Sequence, residues 1–552
     1  MPELKPWQKT WQQVRGLAGQ LPKPSAPKIP AALKTPSKLK TWQLTAGAAT
    51  VGLAVAAGAV ATAGPWDSSG QRTAERDRAA SQEAGGGADH GGRTSGRAPG
   101  AAPSAPSVLR GLGAPAGSAH GGSAPAPDAK ALAGVLDPLL KDKALGPERS
   151  AVVIDAGTGR QVYGKGGGDA LTPASTTKIA TAVAALTSAG ADHRITTKTV
   201  IEPDSKDVVL VGGGDPTLTA REDGPYSGSA ASLRDLAQDT ARALKDRGAD
   251  RVNLSYDTSL YSGEQQHPIG PNENLTLVSA LMADEGRLDD SSSGPAPRAG
   301  DPAADAAEKF AGFLADEGIE TTAKDKKSKK DKKDKENEGG KKNEGGKENE
   351  GDEKKAPGPS RATDRAESLA KVESPPLSAL VERMLTHSDN DIAEALARQT
   401  ALAAKEPVSF DGAGKAIGAQ LKKAQLPLDG TKFHDGSGLD RADRSSAELL
   451  AALLARAADP AHPELRSVVT GLPVAGFTGT LVDRYPKGSP GTGVVRAKTG
   501  TLTGVNTLAG TVVDTDGRLL VFAFMTTGTT DPMAAQAALD HMASAVAKCG
   551  CR

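Results

Sequence analysis

Apolar and polar positions along the chain follow two periods, and each change of period marks an element. Ser150-Ala151-Val152-Val153-Ile154-Asp155 and Arg160-Gln161-Val162-Tyr163 flank Ala156-Gly157-Thr158-Gly159, which predicts two strands joined in a hairpin. Residues 507–513 and 519–525 repeat that arrangement around Asp516-Gly517, and helical spacing follows over 533–547. In the string Leu171-Thr172-Pro173-Ala174-Ser175-Thr176-Thr177-Lys178-Ile179-Ala180, Thr172 reads as an N-cap and Pro173 as the first helical residue, with Gly190 as the stop. A second amphipathic helix opens at His387-Ser388-Asp389-Asn390-Asp391-Ile392, capped by Ser, Asp or Asn. Gly493-Val494-Val495-Arg496-Ala497-Lys498 predicts a strand that breaks at Gly500, while 206–211 is strand-like and 231–247 helix-like. Strands near both ends of a domain with helices between them read as α+β.

Other stretches lack a folding period. Residues 44–64 carry no charge and follow Arg15, Lys34, Lys38 and Lys40, the pattern of a membrane-crossing segment with a cytoplasmic start. Ala61-Thr62-Ala63 also fits a leader-cleavage site, although the long run before the segment favours a retained anchor. Residues 65–128, rich in Gly, Ala, Ser and Pro, predict a flexible tether, and the Lys, Glu, Asp, Asn and Gly run over 322–358 predicts a solvated, disordered tract. The expected organisation is therefore a basic segment over 1–40, an anchor or leader over 41–64 and the tether. A catalytic domain built from 129–200 and 374–552 follows, interrupted by inserted material over 201–373.

Composition narrows the function. The 67 Lys+Arg and 67 Asp+Glu cancel, so no whole-protein field directs the chain to nucleic acid. Aromatics make up 3%, which leaves the core to Leu, Val, Ile and Ala. The two cysteines, Cys549 and Cys551, are separated by Gly550; a bridge between them closes a small strained ring, and free thiols or an intermolecular link are the alternatives.

The candidate chemistry lies in three strings in chain order: Ser175-Thr176-Thr177-Lys178, Ser388-Asp389-Asn390 and Lys498-Thr499-Gly500. SxxK recurs at Ser25, Ser37 and Ser368, but Asn390 is the only Asn with a Ser two residues earlier, and KTG occurs once. Three residues of helix bring Ser175 and Lys178 to one face, so an amine can reach the hydroxyl. A lysine acts as base only when its pKa falls, and burial together with a second cation, Lys498, would lower it. Lys498 and Thr499 can reach a terminal carboxylate from the strand, and the small Gly500 leaves room for a ligand. The N–H groups of Ser175 and Thr501 can form an oxyanion hole. Ser388 is a proton-relay candidate and Asn390 a clamp on a substrate amide.

These three strings, with Leu210-Val211-Gly212-Gly213-Gly214-Asp215-Pro216-Thr217-Leu218, Asp435-Gly436-Ser437-Gly438-Leu439 and Gly479-Thr480-Leu481, make the chain resemble the D-alanyl-D-alanine carboxypeptidase/endopeptidases of the low-molecular-mass class C penicillin-binding proteins. The resemblance runs over roughly 130–547, apart from the charged tract. It implies a penicillin-binding-protein/β-lactamase-like transpeptidase fold, an antiparallel sheet with helices on both faces and inserted domains after the SxxK helix. It also implies an acyl-enzyme on Ser175 and no cofactor. The implied substrates are peptidoglycan stem peptides outside the membrane, with β-lactams as covalent inhibitors. The rival readings are a β-lactamase, for which no Glu-x-x-Leu-Asn string supplies a deacylating base, and a catalytically silent wall-associated scaffold or penicillin sensor. Residues 159–165 nearly match a phosphate-binding loop but read better as a hairpin end, and His267, His387 and His434 lack metal-ligand spacing.

Overall fold

The computed structural model describes residues 127–222, 230–323 and 356–550. The basic segment, the uncharged segment 44–64, almost all of the tether, the core of the charged tract and Cys551 lie outside them. Among the described residues no helix is long and apolar enough to cross a membrane.

In chain order, α1 (Ala129–Leu140) precedes the hairpin β1 (Glu148–Asp155) and β2 (Arg160–Lys165), and α2 (Thr177–Ala189) follows. Next come β3 (Thr196–Ile201), β4 (Asp207–Val211), α3 (Leu233–Asp246), β5 (Arg251–Asp257), α4 (Pro302–Asp316), β6 (Glu320–Ala323), β7 (Gly358–Pro359) and β8 (Glu367–Glu373). Helices α5 (Leu377–His387), α6 (Asn390–Ala404), α7 (Phe410–Lys423), α8 (Ala447–Ala458) and α9 (Arg466–Thr470) lead to β9 (Val495–Leu502), β10 (Val505–Val513), β11 (Leu519–Thr527) and α10 (Pro532–Lys548).

The first sheet runs β2-β1-β11-β10-β9, antiparallel throughout, so strands from the start and from the end of the described region build one sheet. Both of its faces are covered, and successive residues alternate between two cores. Val152, Ile154, Val521, Ala523 and Met525 pack with α2 and α5–α8, while Ala151, Val153, Phe522 and Phe524 pack with α1 and α10. Both expected hairpins and the closing helix are present, and β2 accounts for the glycine-flanked 159–165 string. Helix α2 is buried at every position from Thr177 to Leu186, as a helix at the centre of a helical cluster must be. Its stop at Gly190 has φ +94, a conformation that glycine adopts without strain.

The start of α2 differs from expectation. Thr172 does not cap it; the Thr172 hydroxyl instead accepts from Arg444 Nη1 at 3.1 Å. Residues Ala174–Thr176 form a 3₁₀ turn ahead of the helix, with Ala174 left-handed at φ +48. The cause is the Pro173 carbonyl, which accepts from the Thr176 hydroxyl at 2.6 Å and from the Thr507 hydroxyl of β10 at 2.9 Å. Those two bonds tie the turn to the sheet.

The second sheet runs β6-β5-β4-β3-β8. Its β4–β5 and β5–β6 pairs are parallel, with α3 and α4 as the crossovers that parallel pairing needs. Its own core includes Leu210, Leu254, Leu236 and Phe310. The strand- and helix-like patterns over 206–211 and 231–247 are β4 and α3. The sheet starts at Thr196, slightly ahead of the boundary expected after residue 200. Thr322 and Ala323, at the start of the expected tract, belong to β6, and Gly358 at its end belongs to β7.

Ala323 pairs with Leu254 and Gly358 with Ser255, both parallel, so β6 and β7 occupy consecutive positions along one edge of β5. Residues 324–357 are thus spliced into a single edge strand without a register change. Joining Ala323 directly to Gly358 is expected to keep stability within about 1 kcal/mol of the full chain, measured by urea denaturation. A loss of several kcal/mol would show that the tract contributes to the fold.

Candidate active site

Three chain-distant segments meet at the start of α2. Lys178 is fully buried, and its Nζ donates to Ser175 Oγ at 3.2 Å, Asn390 Oδ1 at 2.7 Å and Ser437 O at 2.7 Å. Ser175 is half-buried in the 3₁₀ turn. Asn390 is the first residue of α6, whose N-cap is Asp389, accepting from Ile392 N at 3.0 Å. Ser388 ends α5 in the left-handed region at φ 58 and is not among the partners of Lys178 Nζ.

Lys498, Thr499, Gly500 and Thr501 lie on β9, the outer strand of the first sheet. Residues 473–475 cover the first part of its outer edge through Ala475 N to Val495 O and Ala497 N to Pro473 O. Beyond Ala497 no strand pairs with that edge among the described residues. The expected break at Gly500 is absent: β9 continues to Leu502 and turns at Gly504, φ +75. Glycine at 500 is instead a packing requirement, because a Cβ there would lie 2.1 Å from Thr507 Oγ1 and 2.7 Å from Pro173 O. The Thr499 hydroxyl donates to Thr480 Oγ1 at 2.9 Å, which connects the Gly479-Thr480-Leu481 string to the site. Thr501 is exposed.

Burial lowers Lys178 to about 8, against the opposing pull of Asp435, Glu394, Asp389 and Asp391. Lys498 is pushed well below the ordinary lysine range, first by complete burial and then by Lys178; its Nζ donates to the Thr499 carbonyl at 2.8 Å. Lys178 adds to the depression of Lys498, whereas the Lys178 shift comes from desolvation; the expected lowering of Lys178 by Lys498 is not among its causes.

The loop Asp435-Gly436-Ser437-Gly438 supplies the Ser437 carbonyl, a partner that the resemblance flagged only as a string. Glu394 Oε1 accepts from Gly436 N at 3.0 Å and Ser437 N at 2.9 Å. Asp435 accepts from Gly438 N, Asp440 N and the Ser437 hydroxyl, and lies 2.9 Å from His267 Nε2. Burial alone would raise Asp435, but those donors hold it far below the usual carboxylate range. Asp443 moves the other way, to about 10, through burial and the neighbouring Asp435 charge. No local pattern marks Glu394 or His267: their partners in the 435–438 loop come from elsewhere in the chain.

Two groups of buried ligand-type side chains converge within metal-binding reach, His267/Glu394/Asp435 and Glu285/Asp389/Asp391. In the first, His267 Nδ1 accepts from Ile269 N at 3.2 Å, Nε2 faces Asp435, and Glu394 is occupied by two N–H groups and Arg398. In the second, Arg287 pairs with Glu285 at 2.7 Å and Arg298 with Asp391 at 2.9 Å. Protein donors thus take up part of the acceptor capacity in both groups.

A hydroxyl and a desolvated amine at a helix start, beside an open sheet edge, form the arrangement of a serine–lysine acyl-transfer enzyme. Comparison with known proteins narrows this class. The profile of the D-Ala-D-Ala carboxypeptidase 3 (S13) family matches residues 132–342 and 354–549, and the chain belongs to that family. It is a D-Ala-D-Ala carboxypeptidase. Carboxypeptidase DacB of Mycolicibacterium smegmatis is 33% identical over 441 residues, covering 78% of this chain and 86% of that protein. The D-alanyl-D-alanine carboxypeptidase of an Actinomadura species is 29% identical over 440 residues, covering 72% and 81%. Among solved structures, penicillin binding protein 4 (dacB) from Haemophilus influenzae shares the fold, with a TM-score of 0.55, 20% identity and coverage of 74% of this chain and 98% of that one.

Gly500→Ala is expected to cost about 1–3 kcal/mol, read as a lowered urea midpoint, because a methyl group must displace Thr507 or the Pro173 turn. An unchanged midpoint would show that Thr507 gives way freely.

Proposed function

We propose that this carboxypeptidase acts on peptidoglycan stem peptides outside the cytoplasmic membrane through an acyl-enzyme on Ser175, and that β-lactams acylate the same hydroxyl. The observation that carries the reading is the 3.2 Å contact between Ser175 Oγ and the fully buried Lys178 Nζ. Lys178, as the neutral amine, takes the hydroxyl proton while Oγ bonds to the carbonyl carbon of the penultimate D-Ala. The peptide C–N bond then breaks, and the terminal D-Ala leaves as an amine with a proton returned through Ser388 and Lys498. Water hydrolyses the ester and restores Ser175.

In this reading the peptide lies antiparallel along the open edge of β9, Asn390 and Thr499 hold it, and Lys498 favours its terminal carboxylate. Gly500 admits the backbone, and the N–H groups of Ser175 and Thr501 stabilise the oxyanion. The catalytic domain is assigned to 129–200 with 374–552, and 201–373 to inserted material that shapes the groove. The uncharged segment 44–64 would carry the catalytic part across the membrane, as a retained anchor or a cleaved leader.

After treatment with penicillin, mass spectrometry is expected to find the drug on the Ser175 peptide and nowhere on Ser175→Ala. An unmodified Ser175 peptide from folded protein would sink the reading. Digestion of cross-linked muropeptides then separates D-Ala release from monomer release, and so tests for endopeptidase action.

The reacting form of Lys178 is neutral, and its fraction grows as pH rises towards the lowered pKa. The acylation rate should therefore climb about tenfold per pH unit below about 8 and level off above it, measured by stopped flow with a chromogenic β-lactam. A flat profile between pH 6 and 9, on the order of that span, would remove Lys178 from the role of base.

A further inference from the structure

The two fixed oxygens on Lys178 Nζ, Asn390 Oδ1 and Ser437 O, belong to different elements, yet both are oriented by one short segment after β5. On one side Asn390 Nδ2 donates to Asn274 O at 2.9 Å, which leaves Oδ1 directed at Lys178. Thr276 N donates to Asp391 Oδ1 at 3.0 Å, so the first turn of α6 is held to the segment as well, and Arg298, from outside it, pairs with the same carboxylate. On the other side His267, 1% exposed and edge-on to the Phe410 ring, reaches Asp435. Its Nδ1 accepts from Ile269 N, so the proton sits on Nε2 and is donated to Asp435. Asp435 in turn gathers Gly438 N, Asp440 N and the Ser437 hydroxyl, the bonds that fix the turn carrying the Ser437 carbonyl.

We propose that residues 267–276 are the positioning segment for Lys178, with His267 holding the Ser437 carbonyl through Asp435 and Asn274 holding the Asn390 amide. The proposal rests on the reading of Lys178 as the proton acceptor. Neither His267 nor Asn274 contacts Ser175 or Lys178; both act through a second group. The charged groups facing Lys178 are Asp435, Glu394, Asp389 and Asp391, together with Lys498 from β9. Loosening either oxygen admits water beside the amine, which relieves its desolvation and shifts it back towards the ordinary lysine range.

The test measures Ser175 acylation by a fluorescent penicillin across pH in the full chain. His267→Leu removes the donor to Asp435, and His267→Gln retains an N–H there. Asn272→Ala frees the Asn274 turn, because Asn272 Oδ1 accepts from Asn274 N at 2.8 Å. His267→Leu is expected to acylate about 10- to 100-fold more slowly, with its acidic limb moved to higher pH, and His267→Gln to recover most of the rate and the wild-type limb. Asn272→Ala should show the same limb shift with a smaller loss. The proposal is overturned if the folded variants keep the wild-type rate and midpoint, or if the rate falls with no movement of the limb and no recovery in His267→Gln. Should His267→Leu not fold, Asn272→Ala decides by its limb alone. A wild-type protein that takes no label at Ser175 instead refutes the assigned function.

Discussion

A lysine amine held inside the protein core is the constraint around which the rest is arranged. Full desolvation of a charged ammonium costs several kcal/mol, so Lys178 is tolerated only with its donors satisfied and its pKa depressed. Three oxygens meet that requirement, and they come from the turn ahead of α2, the start of α6 and the 435–438 loop. The burial of α2 on every side makes the amine weakly basic. The 3₁₀ turn ahead of it leaves Ser175 partly open to solvent. The turn and the helix together place a dry amine and a partly open hydroxyl three residues apart.

The sheet determines what else can reach that pair. Because β1 and β2 come from the start of the described region and β9–β11 from its end, everything between them is free to form helices and a second sheet. Thr507 on β10 reaches across to Pro173 and sets the distance between α2 and β9. Gly500 occupies the resulting contact, where the backbones are too close for a side chain. The open part of β9 is consequently packed against the turn that carries Ser175.

Local pattern revealed much of this. The two hairpins, the closing helix and the start of α6 were legible because period and turn residues are local properties. Ser175, Lys178 and Asn390 were legible as an ordered set of short strings, and the structure brings them into hydrogen-bond contact. Thr172 and Pro173 carry a normal start signal, but one of the two bonds that override it comes from Thr507, far along the chain, and no local pattern reveals it. Gly500 reads as a strand end in the sequence because glycine marks both turns and close approaches, and only the tertiary neighbour separates the two. His267 and Glu394 were hidden for a related reason. One was a solitary histidine without ligand spacing and the other a helix residue among many, and each gains meaning only from the 435–438 loop.

Several of the oxygens that define the site belong to the main chain: Ser437 O against Lys178, Asn274 O against Asn390, and Pro173 O beneath the turn. A side-chain replacement cannot delete a carbonyl. Residue 274 can therefore drift in identity through many generations while the acceptor it presents stays in place, provided that the loop keeps its path, whereas Ser437 is also tied through its hydroxyl to Asp435. Sequence conservation at such positions will understate their importance, and variation that retunes the enzyme will enter through loop length and backbone course more readily than through exchange of the residues nearest the amine.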